Sequence, residues 1–246
     1  MGLETETLED LMCLLSKNNM SLLLPALLLL VATSVAQSNV LTLRSLYIED
    51  QRDRGVALAD DGVSLLPKEQ ADKLPSYDWE KEVPKRDEAR RQQARVLLAK
   101  PDLTGEEYYF AAFLFQHGQD ANDYLFAHIL ATEAIALGYN RAKWISAATL
   151  DRYLQKIGQK QVFGTQYQGE NLAYYLEHQH DPDVIDKFKT MSDQQTLAPY
   201  SPQIVPDSIR AEFCVPPLAL QDQHIDDVKA GKVKPSDLPR LKDCAR

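Results

Sequence analysis

Between residues 85 and 157 apolar positions recur at three- and four-residue spacings, and polar or glycine-bearing breaks divide them into separate runs. That period belongs to helices that turn one face to a core. Gly118, Gly138 and Gly158 each close such a run, as helix-ending glycines do. Start signals stand at the opposite ends. Thr104-Gly105-Glu106-Glu107 has the form of a capping box, Asp120 and Asp123 offer caps, Asn140 precedes the next run, and Asp181-Pro182 pairs a cap with a first-turn proline. The pattern predicts helices at about 41–54, 85–100, 105–117, 122–137, 141–157, 170–178 and 182–192, an all-α antiparallel stack of about six or seven helices.

Prolines mark where that pattern stops. Residues 56–83, with Asp60-Asp61-Gly62, Pro67 and Pro75, read as a surface excursion holding one short helix around Lys68 to Leu74. From about residue 197, Pro199, Pro202, Pro206, Pro216 and Pro217 predict an extended wrap anchored by Ile204, Val205, Ile209, Phe213, Val215 and Leu218. Residues 221–246 are polar and read as a loosely ordered tail.

A run of another kind opens the chain. Leu22 to Val31 is almost continuously apolar and is followed by Ser34-Val35-Ala36, small residues suited to cleavage before Gln37. The run meets polar Gln37-Ser38-Asn39 before reaching the roughly 20 residues a membrane span needs. It reads as a secretory signal over residues 1–36, with an uncleaved anchor as the alternative. The preceding segment carries Glu4, Glu6, Glu9 and Asp10 against Lys17, the reverse of a signal's usual positive start, so translation from Met20 is a second possibility. The expected organisation is therefore a signal at 1–36, one helical domain at 37–220 and the tail at 221–246, with a periplasmic or secreted location.

Formal net charge is −9, and the acidic balance argues against nucleic acid as a partner. Membrane contact is expected only through the signal during export. Cys13 would leave with the signal, and Cys214 and Cys244 would meet an oxidising compartment, where a disulfide is the expected state and two free thiols the alternative.

The candidate chemistry gathers around Asp151-Arg152-Tyr153-Leu154 and Gln161-Val162-Phe163-Gly164-Thr165-Gln166-Tyr167. On a helix, residues 144, 147, 148, 151 and 154 share a face, so Asp151 lies on an apolar stripe and needs partners there. Arg152, His128 or the backbone N–H groups of the Gly164-Thr165-Gln166 turn could supply them. Asp151 is then either a structural clamp on that turn, or a general base or orienter of His128. His128 lies on a mostly apolar helix, as a satisfied core histidine or a catalytic one. His117, just before Gly118, can bond the last carbonyls of its helix, a role that leaves catalysis as the alternative. Arg152, Gln161, Gly164, Thr165 and Gln166 are candidate binding residues, although a tight turn uses the same groups to satisfy its own backbone. The His178-Gln179-His180 alternation falls at a helix end without a third ligand at a recognised spacing, so no metal site is expected. Signatures of standard hydrolases, phosphate loops and dinucleotide folds are missing, and no cofactor is expected.

Phe115-Gln116-His117-Gly118, Ala127-His128-Ile129-Leu130-Ala131, DRYL and QVFGTQY together resemble a family of bacterial, mostly exported proteins known as a domain of unknown function, over roughly residues 42 to 218. The resemblance implies a helical fold and an exported location, and no particular reaction. Residues 122–157, with Ala131, Ala134, Leu137, Gly138, Ala142, Trp144, Ala147 and Ala148, are similar to a tetratricopeptide-like or Sel1-like hairpin. The expected function is a non-enzymatic binding or interaction module for a protein or small polar ligand. The alternative is a hydrolase-like enzyme using Asp151, His128 and His117 around the Gln161–Tyr167 loop.

Overall fold

The computed structural model describes residues 41–246 except 179, 192–193, 240, 242–243 and 245–246; the expected signal at 1–36 lies outside the described residues. Helix α1 (Leu43–Asp53) starts where Thr42 and Ser45 bond each other's backbone N–H groups in a reciprocal capping box. After the short α2 (Lys68–Ala71), α3 (Val83–Leu98) carries Pro84 in its first turn, where a missing N–H costs nothing. Thr104 and Glu107 cap α4 (Gly105–Phe115) in the same reciprocal way. Asp120 caps α5 (Ala121–Ala136), and a single 3₁₀ turn (Asn140–Ala142) leads into α6 (Lys143–Lys156).

Helix α4 lies at the centre because Tyr109 to Phe115 is a continuous apolar run, all of it buried. It packs against α1, α3 and α5, and α5 packs in turn against α6. Tyr47 stacks on Phe110 at 4.9 Å and meets Phe113 edge-on. Ala127, Leu130, Ala131 and Ala134 form the buried stripe of α5, whose small side chains let neighbouring helices approach closely. The chain is an all-α stack, as the periodicity predicts, with one small antiparallel ribbon of β1 (Gln168–Gly169) and β2 (Gln195–Thr196). Between these strands run α7 (Glu170–Glu177) and α8 (Val184–Thr190).

The last fifth departs from expectation. It holds α9 (Asp207–Glu212) and α10 (Leu218–Lys229), each introduced by a proline, Pro206 and Pro217. Proline excludes helix interiors but fits helix starts, so a proline-rich segment punctuates helices here. The boundary expected at 220/221 falls inside α10. Gln221 and His224 of that helix are buried, a face too polar for an apolar pattern to reveal. Of the expected anchors, Val205 and Val215 are buried, Phe213 and Leu218 partly so, and Ile204 and Ile209 are exposed. Val205, Val215, Phe163 and Ala147 make a second small core beside Trp144.

Cys214 and Cys244 form a disulfide with Cα atoms 5.6 Å apart, tying the end of α9 to the C-terminal segment. Among the described residues, no helix is long and apolar enough to cross a membrane. Gly118 also differs from expectation. Gly138 and Gly158 adopt positive φ but Gly118 does not, and what a side chain there would meet is the side chain of Asp123.

Candidate functional site

Asp151 is fully buried on the inner face of α6. One carboxylate oxygen accepts from the backbone N–H groups of Val162 (2.8 Å) and Phe163 (3.0 Å). The other accepts from the N–H (3.0 Å) and the hydroxyl (2.8 Å) of Thr165. Burial pushes the Asp151 carboxyl above its usual range, against the pull of these four donors. Of the partners weighed from sequence, the turn is the one the structure supplies.

The loop above spends its polar groups on itself and on the C-terminal segment. Gln161, wholly buried, donates to the carbonyls of Gln166 and Leu197 and accepts from the Gln166 N–H. Gln166 reaches back to the Ala148 carbonyl. The Phe163 carbonyl takes three donors, from Tyr200, Arg210 and Gln221. Gly164 has φ +82°, and a Cβ there would run into Gln221 and Tyr200, so the position needs glycine twice over. The opening next to Thr165 has about 10 Å³, room for a single water.

The histidines lie elsewhere. His128 bonds the Ser146 carbonyl through Nδ1 at 2.9 Å, which makes that nitrogen the N–H donor. His117 bonds Asp50 through Nδ1 at 3.1 Å, a side-chain partner on α1 instead of the carbonyls closing its own helix. Burial pulls the His117 imidazole below its usual range; Asp50 pulls the other way, and Arg54 and Arg152 add to the depression. His178 stacks on Tyr174 and His180 is exposed. Among the described residues, no group of three or more His, Cys, Asp and Glu side chains is placed to hold a metal ion.

The cluster that sequence reasoning missed surrounds His117, at the end of the stack where α1, α4 and α6 finish and α3 and α5 begin. Asp50 and Asp87 bracket Arg54 at 2.8 and 2.7 Å. Asp53 takes Arg86 and Arg90 at 2.7 Å each, and Arg90 also binds Asp87. Arg91 donates to the His117 carbonyl and to Glu88, and Arg95 to Asp123. Trp79, largely exposed, lies 5.7 Å from the Arg54 guanidinium. The signal available was spacing: Asp53 and Arg54, at the end of α1, follow Asp50 by three and four positions, and Arg90 and Arg91 follow Asp87 on α3 in the same way, which places each later residue beside the first. Arg152 comes to this end too. Its neighbour Asp151 points to the loop, and consecutive helical residues diverge. Its Nε is sealed from solvent without a hydrogen-bond partner.

Two larger openings border these clusters, one at Asp53 and the other at Tyr167. A cleft of about 380 Å³ runs between the end of α1 and the segment after α2, lined by Arg52, Gly55, Leu74 and Tyr77. A shallow groove of about 520 Å³ follows the ribbon, lined by Gln168, Gln195, Lys229 and Pro235. Comparison with family models, curated proteins and solved structures returns no match for this chain.

Proposed function

We propose that this chain is an exported, all-helical binding or interaction protein, and that the likeness of its DRYL and QVFGTQY motifs to the unknown-function family reflects a shared fold. The observation that supports this reading is the separate employment of the three acid–base candidates. Asp151 closes a loop, His128 bonds a helix carbonyl, and His117 bonds Asp50. A general base must reach the proton it removes, directly or through one water. The opening that adjoins Thr165, one of the donors to Asp151, has room for a single water, which favours a clamp over a catalytic base at Asp151. Export rests on the Leu22–Val31 run with Ser34-Val35-Ala36, and the disulfide fits an oxidising compartment.

The test combines a thermal-shift ligand screen on the purified protein with chromogenic ester, amide, phosphoester and glycoside substrates. Ligand-dependent stabilisation without turnover is expected. Turnover that vanishes in a folded His117→Gln or His128→Gln variant would overturn the reading. Intact-mass measurement on protein recovered from the cell envelope should give a chain beginning at Gln37, and a retained Met1 or Met20 would refute cleavage.

A further inference from the structure

The charged end of the stack is built from pairs, and among the described residues Arg152 stands outside them. Asp50, Asp53, Asp87, Glu88 and Asp123 are each already engaged by Arg54, Arg86, Arg90, Arg91 or Arg95. Arg152 has no ion pair or hydrogen bond among the described residues, and its Nε is sealed. Burial pulls the guanidinium below its ordinary range and nearby Arg54 adds to the depression, while Tyr124 and Asp151 pull the other way. A lysine so placed could shed its proton; a guanidinium does not. An uncompensated charge in the interior is expensive, and folded proteins hold such groups against a counter-ion. Among the described residues the carboxylate that acts on it is that of Asp151, whose oxygens are bonded to the loop, while Arg152 as a whole keeps part of its surface in contact with solvent.

We propose that Arg152 anchors an oxyanion site, bordered by Arg54, Tyr124 and His117, that takes the carboxylate or phosphate group of a small ligand. The planar fork of a guanidinium matches both groups with two parallel N–H donors. The proposal names the ligand class for the binding reading above and rests on it. It also inverts the usual expectation for a buried arginine: with no partner to lose, replacing it relieves the free protein of a burden.

The experiment uses the purified protein in a low-chloride HEPES buffer, with inorganic phosphate and succinate as probes and sodium chloride at matched ionic strength as control. Melting temperature and calorimetric titration are read for wild type, Arg152→Met and Arg152→Lys. Saturable stabilisation of the wild type beyond the chloride control is expected with one or both probes, and which probe acts assigns phosphate or carboxylate. Arg152→Met should lose at least tenfold in affinity, Arg152→Lys should keep part of it, and Arg152→Met without anion should melt no lower than wild type. The His117 ring resonances should move on titration in wild type and stay still in Arg152→Met, which localises the effect. The proposal falls if neither probe exceeds chloride, if Arg152→Met responds like wild type, or if that variant melts well below wild type without anion. Should the ligand screen give hits while phosphate and succinate do nothing, the binding reading stands and the oxyanion site alone fails.

Discussion

Each oxygen of Asp151 faces two donors. Asparagine keeps the shape but offers one oxygen, so its amide N–H₂ must oppose either Val162 and Phe163 or the Thr165 N–H. Leaving buried donors unmet costs about 1–3 kcal/mol each, and Asp151→Asn is expected to destabilise the fold by about 2–4 kcal/mol. Denaturant melts check this; a change within about 0.5 kcal/mol, typical of surface sites, would refute the clamp. His117 gives a pH signature. Because burial depresses its folded pKa, its contribution is fully present above the unfolded value of about 6.5 and is lost as pH falls below it. The wild type should therefore lose stability as pH falls below about 6.5 more steeply than His117→Gln, by at most about 1.4 kcal/mol per pH unit. Equal slopes, or a shallower wild-type slope, would contradict it. Burial of Asp151 was legible because Trp144, Ala147, Ala148 and Leu154 mark its face as apolar. The Asp50, Asp87 and Arg90 cluster was not, since charges at three- and four-residue spacing read equally as a solvated helix surface, and only packing of α1 against α3 encloses them.

Among the helices, caps explain why the starts of α4 and α5 could be read so closely. The Thr104 and Glu107 pair satisfies N–H groups at both sides of the first turn of α4. Thr104→Ala should cost about 1 kcal/mol, measured by chemical denaturation, and Thr104→Ser should recover most of it; no loss in the alanine variant would show that the central helix is held by packing alone. Helices from α3 to α8 appear where the period predicts them, but side-chain caps close only α4 and α5 among these; Asn140 enters a 3₁₀ turn instead of capping α6, and α8 starts after Asp183 without the cap expected from Asp181. Helix α10 escaped because its inward positions are the polar Gln221 and His224, and Gln221 is held in part by the Phe163 carbonyl, 58 residues away in sequence. A polar side chain carries no mark of whether such a partner exists.

For the molecule as a whole, the Cys214–Cys244 bridge closes a 30-residue separation. Loop-closure entropy assigns such a link about 3–4 kcal/mol. Reduction, or Cys214→Ser with Cys244→Ser, should lower stability by up to that amount, and the first consequence should be faster hydrogen exchange in α10. Two alkylatable thiols in oxidised, folded protein would sink the expectation. The Phe163 carbonyl gathers donors from Tyr200, Arg210 and Gln221, the last of them 58 residues further along the chain. A polypeptide made from its N-terminus cannot complete that junction until Gln221 has been added. The turn that Asp151 holds from beneath waits for its upper half, so the native loop is postponed until residue 221 has emerged, and a chain cut short before Gln221 would carry an open joint at Phe163.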